Sequence, residues 1–506
     1  MRQVLPALAI LAAFAAAALA FAQAQSIWID ETTQLSGLSL PLDQQLIWLT
    51  GGANPIPAVP PDRMPPLSYW FGAGWTQIFG LSEMTMRIFG LLAVLCGAPA
   101  IYLAARDLGG LRAGWLPPVF ALAAIYLSPG MIVQAGAIRA YPIYFAFSAW
   151  ALWAYLRACA RPERKWLVLL AVLSLAAGYT HFFGVVMAAL LWLSLLLVRL
   201  WRGQNARPVL LGGLATAVLF VGLLPFISAA TGISESAPAP VGPAALGRDM
   251  ARVPFRLLLH GVHLSSDILT GVAVLGAAGL AALSLLTVLR YRTAQGTGLV
   301  LPVAFALLVL PLLKLAVGGF DVLAPHYNLW LLPLLALFLS RALASQRFHA
   351  IAVACAGLLI GAHLVADYRL LRHADFYTHG SGEWVTAAIG DPESTIIIHN
   401  GEGGWGYDYF PVRYLTDGRV KQILRHPGQL DQEIVPGGFT ELEKPISDFT
   451  TRIYVSSRSL GSREVAARLS DPGDCGIPPM QPESGNVVET RSRCGYESTT
   501  MVIVRD

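Results

Sequence analysis

The sequence predicts an α-helical polytopic membrane protein of about eleven spanning helices, followed by a small soluble α/β domain. Three observations carry this. Of 506 residues, 55% are hydrophobic and 13% charged, and the mean hydropathy is +0.57; a soluble domain carries about a quarter charged residues. The apolar residues come in runs of about 20, the length that crosses a bilayer. Arginines gather in alternate short loops, as expected of the cytoplasmic side. The net charge of +4 comes without a basic tract of the kind that tracks phosphates, which argues against nucleic acid as a partner.

The apolar segments fall near 4–24, 85–105, 114–132, 140–157, 166–180, 182–199, 208–230, 267–289, 299–317, 327–343 and 348–366. The polar GYTH at 178–181 divides what would otherwise be one overlong helix and predicts a tight turn. The first segment reads as a span, because its apolar run is long for a signal core. The alternative is a cleaved signal peptide, suggested by Arg2 and a small-x-small AQA. With the N-terminus cytoplasmic, Arg106, Arg157, Arg164, Arg199, Arg202, Arg290 and Arg341 share the inner side. Residues 26–84, 231–266, 318–326 and everything after 366 then face the periplasm, placing the protein in the inner (plasma) membrane.

Composition changes after 366, which divides the chain into a membrane domain, 1–366, and a periplasmic domain, 367–506. TIIIHN (395–400), RIYVSS (452–457) and TMVIVRD (500–506) read as strands, and SREVAARLSD (462–471) as helix. GEGGWG (401–406) lacks the dinucleotide fingerprint and reads as a loop. Cys96, Cys159 and Cys355 lie in or beside apolar runs and read as inert. Cys475 and Cys494 would be free to pair as a disulfide in an oxidising compartment.

The 26–84 loop is too long and particular to be a mere connector. Its start, SIWIDETTQLSGL, sets Asp30 and Glu31 directly after a span. Further on, Pro65 and Pro66 lead into a segment rich in Tyr69, Trp70, Phe71, Trp75 and Phe79, residues that favour the membrane interface. Two short surface helices are expected there.

IDE after the first span, then PPLSYW, FGLSEMTMR and IRAYPIYF, resemble the polytopic glycosyltransferases of the GT-C fold. More narrowly, they resemble glycosyltransferase family 39, the protein O-mannosyltransferases and lipid A aminoarabinose transferases. The likeness is strongest over residues 26–190. It implies a polyprenyl-phosphate-linked sugar donor and transfer to a glycolipid, polysaccharide or protein acceptor on the outer face.

Such a reaction needs a base for the acceptor hydroxyl and cationic donors for the departing phosphate. Phosphate is already a good leaving group, so one carboxylate suffices, and a single displacement inverts the anomeric carbon. Asp30 is the expected base and Glu31 its neighbour that orients the acceptor or the loop. The plain alternative is that both acids cap a surface helix. Arg139, at the outer end of a span, is the expected phosphate ligand, against simple snorkelling to the interface. Tyr141, Arg63 and His181 are further candidates, each with an ordinary packing, loop or turn role as its alternative. His326 and Tyr327 are expected to close the pocket from the other side. Arg87 is read as structural, with Glu83 as its candidate i, i+4 partner; Asp43, Asp62 and Asp321 read as ordinary loop acids.

Departures from the family pattern are Thr33 and Met64 where many relatives have basic residues, Ala137 where an acid is common, and His326 where arginine is usual. They leave the base in place and the phosphate ligands open. The visible acids form no convincing metal cluster; a divalent cation is neither required nor ruled out. Two rivals remain: a flippase of lipid-linked sugars, and a non-catalytic envelope assembly protein. Transporters are commonly built from repeats with broken helices on both sides of the membrane; no internal repeat is visible here.

Overall fold

The computed structural model describes residues 4–52, 59, 62, 64–109, 114–161, 163–231, 247, 256–259, 267–291, 293–317, 322–345, 347–374, 381–401, 406–426, 431–435, 438–442, 444–459, 477, 479–482, 485–493 and 497–505. The chain forms two compact units. The first is Met1–Ala20, Arg63–Gly80 and Met84–Arg369; the second is Phe21–Asp62, Leu81–Glu83 and Leu370–Asp506.

The first unit is helical. Its elements include α1 (Leu5–Gln23), α4 (Leu67–Phe79), α5 (Glu83–Gly109), α6 (Leu116–Tyr126), α7 (Pro129–Ala135), α8 (Tyr141–Ala160), α9 (Arg164–Thr180) and α10 (Phe183–Trp201). There follow α11 (Arg207–Leu219), α12 (Leu224–Thr231), α13 (Asp267–Tyr291), α14 (Ala294–Val317), α15 (Leu331–Ser340) and α16 (His349–Arg372). Helices occupy all eleven expected segments, and the protein is a multi-pass membrane protein.

The count of eleven spans needs correction. Among the described residues seven helices are long and apolar enough to cross a membrane, and the pair α6–α7, bent by 65°, makes an eighth. The difference has physical causes. A ten-residue helix such as α15 is only about 15 Å long, half a hydrocarbon core. In α8, Tyr, Trp and Ser dilute the hydropathy because much of the helix, including Tyr144, Ser148 and Tyr155, is buried in protein. The α6–α7 break falls at Ser128-Pro129-Gly130, where Ser128 takes an extended conformation (φ −93°, ψ 135°) and Pro129 opens the next helix, since proline cannot continue the one before it.

Helices α6, α8 and α15 form the interior, whereas Leu214, Val218 and Leu219 of α11 and Ile351 and Leu364 of α16 are exposed, an apolar surface suited to lipid. Buried polar groups bind backbone across helices. Tyr126 Oη donates to the Val94 carbonyl (2.9 Å) and Tyr155 Oη to that of Gly298 (2.8 Å). Arg199 Nη2 donates to the Ala158 carbonyl (2.9 Å). Among the three free cysteines of this unit, Cys159 is buried.

The second unit is a seven-stranded sheet in the order β4-β3-β2-β1-β5-β7-β6, with β1 (Thr395–Asn400), β2 (Lys421–Arg425), β3 (Gln432–Val435), β4 (Gly438–Glu441), β5 (Thr451–Ser459), β6 (Asn486–Arg493) and β7 (Glu497–Arg505). β1 pairs in parallel with both β2 and β5, and the remaining pairs are antiparallel. Apolar side chains cover both faces of β1, Ile397 on one and Ile396 and Ile398 on the other. This is why TIIIHN is an unbroken apolar run. Helices α17 (Gly382–Thr386) and α18 (Gly406–Leu415) cover the Ile397 face through Val385 and Val412. The expected helix at 462–471 lies outside the described residues, as do Cys475 and Cys494.

Among the described residues the first loop holds three short helices rather than two: α2 (Ile29–Leu38) and α3 (Leu42–Leu49) in the second unit, and α4 in the first. α4 buries Tyr69 and exposes Trp70, Phe71, Ile78 and Phe79, an apolar face of the kind that lies in a bilayer interface.

Candidate functional site

At the end of the helical unit where α8 begins, four expected residues meet. Tyr141 is the first residue of α8, and Pro142 in its first turn presets the helical φ. Its ring lies 5.5 Å from His181, 4.9 Å from His326 and 6.1 Å from Tyr327, centroid to centroid. His181 stacks on Tyr327 at 5.5 Å, and His326 meets Tyr327 edge-on at 4.2 Å. His326 and Tyr327 are presented by a single 3₁₀ turn, Pro325–Asn328. Asn328 pins that turn, donating from Nδ2 to the carbonyls of Val322 (2.9 Å) and Ala324 (3.1 Å).

His181 occupies the turn expected at GYTH. It ends α9 in an extended conformation (φ −153°, ψ 135°), and Gly184 lets α10 start against the preceding helix. A Cβ on Gly184 would stand 2.3 Å from the Ala177 carbonyl carbon and 2.4 Å from the Gly178 nitrogen, so a side chain there would have to displace backbone. The Phe183 N–H donates to His181 Nδ1 (3.3 Å). This puts the ring proton on Nε2, a tautomer assigned from the bond. Burial pushes the His181 pKa down to about 3, and His326 and Arg139 add to this by disfavouring a further positive charge. At neutral pH His181 is therefore a neutral donor through Nε2–H.

Arg139 sits in the bend between α7 and α8, with 8% of its surface exposed. The bend is held against α5. Arg87 Nη1 donates to the Gly136 carbonyl (2.8 Å) at the end of α7. A Cβ on Gly90 would lie 2.8 Å from the Ala135 carbonyl oxygen and 3.2 Å from that of Ala137. Glycine is thus what admits the Arg139 segment so close to α5.

Two members of this cluster escaped the sequence reading. Tyr144 stacks on His181 at 5.0 Å, and Phe183 stacks on Tyr327 at 5.5 Å. The signal was present in each case: Tyr144 follows Tyr141 by three positions, one helical turn, and Phe183 flanks the turn histidine. Arg63 and Asp321 lie outside the described residues.

In the second unit, Asp30 and Glu31 occupy the first turn of α2. Negative charge is favoured there by the helix dipole. Trp28 at the N-cap makes no side-chain cap bond. Asp30 is half-buried, and Glu31 is only 2% exposed. Most of the polar residues that follow, Thr32, Thr33, Gln34 and Ser36, are buried as well. This is not the pattern of two acids merely capping a solvated surface helix.

The helix packs on α18. At its approach, Gln25 Nε2 donates to the Ala374 carbonyl (2.9 Å), and Arg493 Nη1 on β6 donates to Ser26 Oγ (3.4 Å). Near the start of α18, buried Asp408 accepts from the hydroxyls of Ser381 and Ser457. Both serines also bond Thr499 Oγ1, at 2.6 and 3.0 Å. Burial raises the Asp408 pKa, while the two serines and the Arg493 charge oppose the rise. Among the described residues no three His, Cys, Asp or Glu side chains converge so as to hold a metal ion.

Comparison with known proteins bears on both units. A family model described as dolichyl-phosphate-mannose-protein mannosyltransferase matches residues 63–227. The structure is similar to ArnT from Cupriavidus metallidurans in the apo state, with a TM-score of 0.52 at 14% identity, over 98% of each chain. The same protein bound to undecaprenyl phosphate aligns with a TM-score of 0.36 at 14% identity, over 98% of this chain and 97% of that one. The Archaeoglobus fulgidus oligosaccharyltransferase, crystallised with zinc and sulfate, gives 0.45 at 13% identity over 83% and 62%. A search of curated proteins found no match. The likeness to apo ArnT covers nearly the whole chain and shows a shared GT-C fold, as the motifs in the first third implied.

Proposed function

We propose that the chain is a polyprenyl-phosphate-sugar-dependent glycosyltransferase acting at the periplasmic face of the inner membrane. Its donor presents a phosphate at the interface and a prenyl chain among the lipid tails. Arg139 would hold the phosphate, and Tyr141 and His181 would each add a neutral hydrogen bond, His181 from Nε2–H; Arg63 is a further candidate. His326 and Tyr327 would wall the pocket. Asp30 would take the proton from the acceptor hydroxyl as it attacks the anomeric carbon and the phosphate departs from the opposite face, inverting the configuration. Glu31 would orient the acceptor or the loop around it. The acceptor class is a glycolipid, polysaccharide or protein.

The observation that carries this reading is the meeting of Tyr141, His181, His326 and Tyr327 at the end of α8, where the Arg139 bend lies. Four residues chosen from three separate stretches for one pocket share one cluster. The sidedness rests on the arginine loops, and the inverting course on the single expected base.

The test is Asp30→Asn. A general base contributes about 10²–10⁴-fold, so sugar transfer in membranes should fall by at least about 100-fold while expression and binding of undecaprenyl phosphate persist. Undiminished transfer would exclude Asp30 as the base. Undiminished lipid movement with no transfer activity in the parent protein would favour the flippase.

A further inference from the structure

Arg493 is the cation that links the approach to the acidic helix with the buried centre of the sheet unit. On one side it donates to Ser26, four residues before Asp30. On the other its charge reaches Asp408, which is locked by Ser381 and Ser457, themselves joined through Thr499. Ser26, Asp408, Ser381, Ser457 and Thr499 are all buried. The helix begins at Ile29 without a side-chain cap bond at Trp28, and Arg493 and the Gln25–Ala374 bond engage the chain just before it.

A guanidinium suits this place. It is planar and always charged, so it can donate to Ser26 through one N–H while its charge acts on Asp408. The polar burial along α2 points the same way, because a helix carrying Thr32, Thr33, Gln34 and Ser36 inward gains little from apolar burial and takes its placement from directed bonds.

We infer that Arg493 is a positioning residue for Asp30, tying the start of the acidic helix to the Asp408 cluster of the sheet unit. The inference rests on the reading of Asp30 as the base. A misplacement of about 1 Å at a reacting group costs on the order of 100-fold in rate, and a base acts only in the transition state. Loss of the tie should therefore appear in kcat and spare donor KM.

Full-length protein is assayed in detergent with labelled polyprenyl-phosphate sugars extracted from native membranes, with those membranes as acceptor. Binding of undecaprenyl phosphate and backbone hydrogen exchange are followed in parallel. Arg493→Ala should lower kcat about tenfold or more with donor KM within about twofold, and protection should fall over residues 29–38. Arg493→Lys should recover part of the rate, since an ammonium keeps the charge without the fork. Arg491→Ala, two positions along β6 in an exposed pair with Glu489, should match the parent.

Unchanged kcat and unchanged exchange in Arg493→Ala would overturn the inference. So would a loss of exchange protection across the whole sheet with kcat and lipid binding falling together, which marks a merely structural residue. Asp30→Asn separates the two claims: if that variant keeps its activity, the base assignment itself has failed. If it loses activity while Arg493→Ala does not, only the positioning role has failed.

Discussion

His181 is buried among Tyr141, Tyr144, Phe183 and Tyr327, and its surroundings decide its charge. With a pKa near 3 in the folded protein against about 6.5 in an unfolded chain, the unfolded state binds the extra proton over the intervening range. Stability is then fully present above pH 6.5 and is lost as pH falls toward 3, by up to about 1.4 kcal/mol per unit. Buried His399, lowered to about 4, acts with the same sign. His181→Gln should therefore flatten, without abolishing, the fall in thermal midpoint between pH 6.5 and 4.5 measured in detergent. An equally steep fall in the variant would count against a neutral buried imidazole. In the proposed site Arg139 would act through charge: Arg139→Ala should weaken undecaprenyl phosphate binding by about 1.5–3 kcal/mol, the range of a hydrogen bond to a charged group, and Arg139→Lys by less. Titration of the purified variants checks both.

Among the elements, two helix breaks of the first unit differ in how visible they are in sequence. The α9–α10 turn was legible because GYTH places polar residues inside an apolar stretch. The α6–α7 break was not, because Ser128-Pro129-Gly130 is flanked by apolar residues on both sides and the hydropathy hardly dips. Two glycines permit close approaches in this unit, Gly184 at the α9–α10 turn and Gly90 at the α7–α8 bend. Gly184→Ala would drive a Cβ into the backbone of Ala177 and Gly178, and Gly90→Ala would press on the Ala135 carbonyl. Overpacking of this kind costs about 1–3 kcal/mol. Both variants should melt lower, and Gly90→Ala should in addition weaken undecaprenyl phosphate binding, because it displaces the bend that carries Arg139. Normal lipid binding by a folded Gly90→Ala protein would detach that bend from the donor site.

In the sheet, the three strands expected from sequence are the buried β1, β5 and β7. The other four, β2, β3, β4 and β6, went unread, being short or polar: KQILR, QEIV, GFTE and NVVETRSR carry little apolar periodicity. The β3–β4 and β6–β7 ladders join strands adjacent in sequence, whereas β5 pairs with the more distant β7, Thr451 facing Arg505.

At the scale of the whole chain, bulk composition was enough for a multi-pass membrane protein, and ordered motifs for the GT-C fold. The number of crossings was less accessible, since apolar runs mark burial in protein as readily as burial in lipid; α15 is an instance. Sidedness has a direct check. Single cysteines placed in the 26–84 and 290–293 loops of a cysteine-free protein should react with an impermeant maleimide in intact cells at the first site and only after lysis at the second. The reverse pattern would put Asp30 on the cytosolic side and remove the basis for the proposed reaction.

The segment Phe21–Asp62 clusters with Leu370–Asp506, more than three hundred residues away in sequence. Anyone exchanging the sheet region between relatives would need to transplant both stretches together. A chimera that swaps the tail alone would inherit a foreign cradle for its own acidic helix, and its silence would say nothing about the role of the new tail.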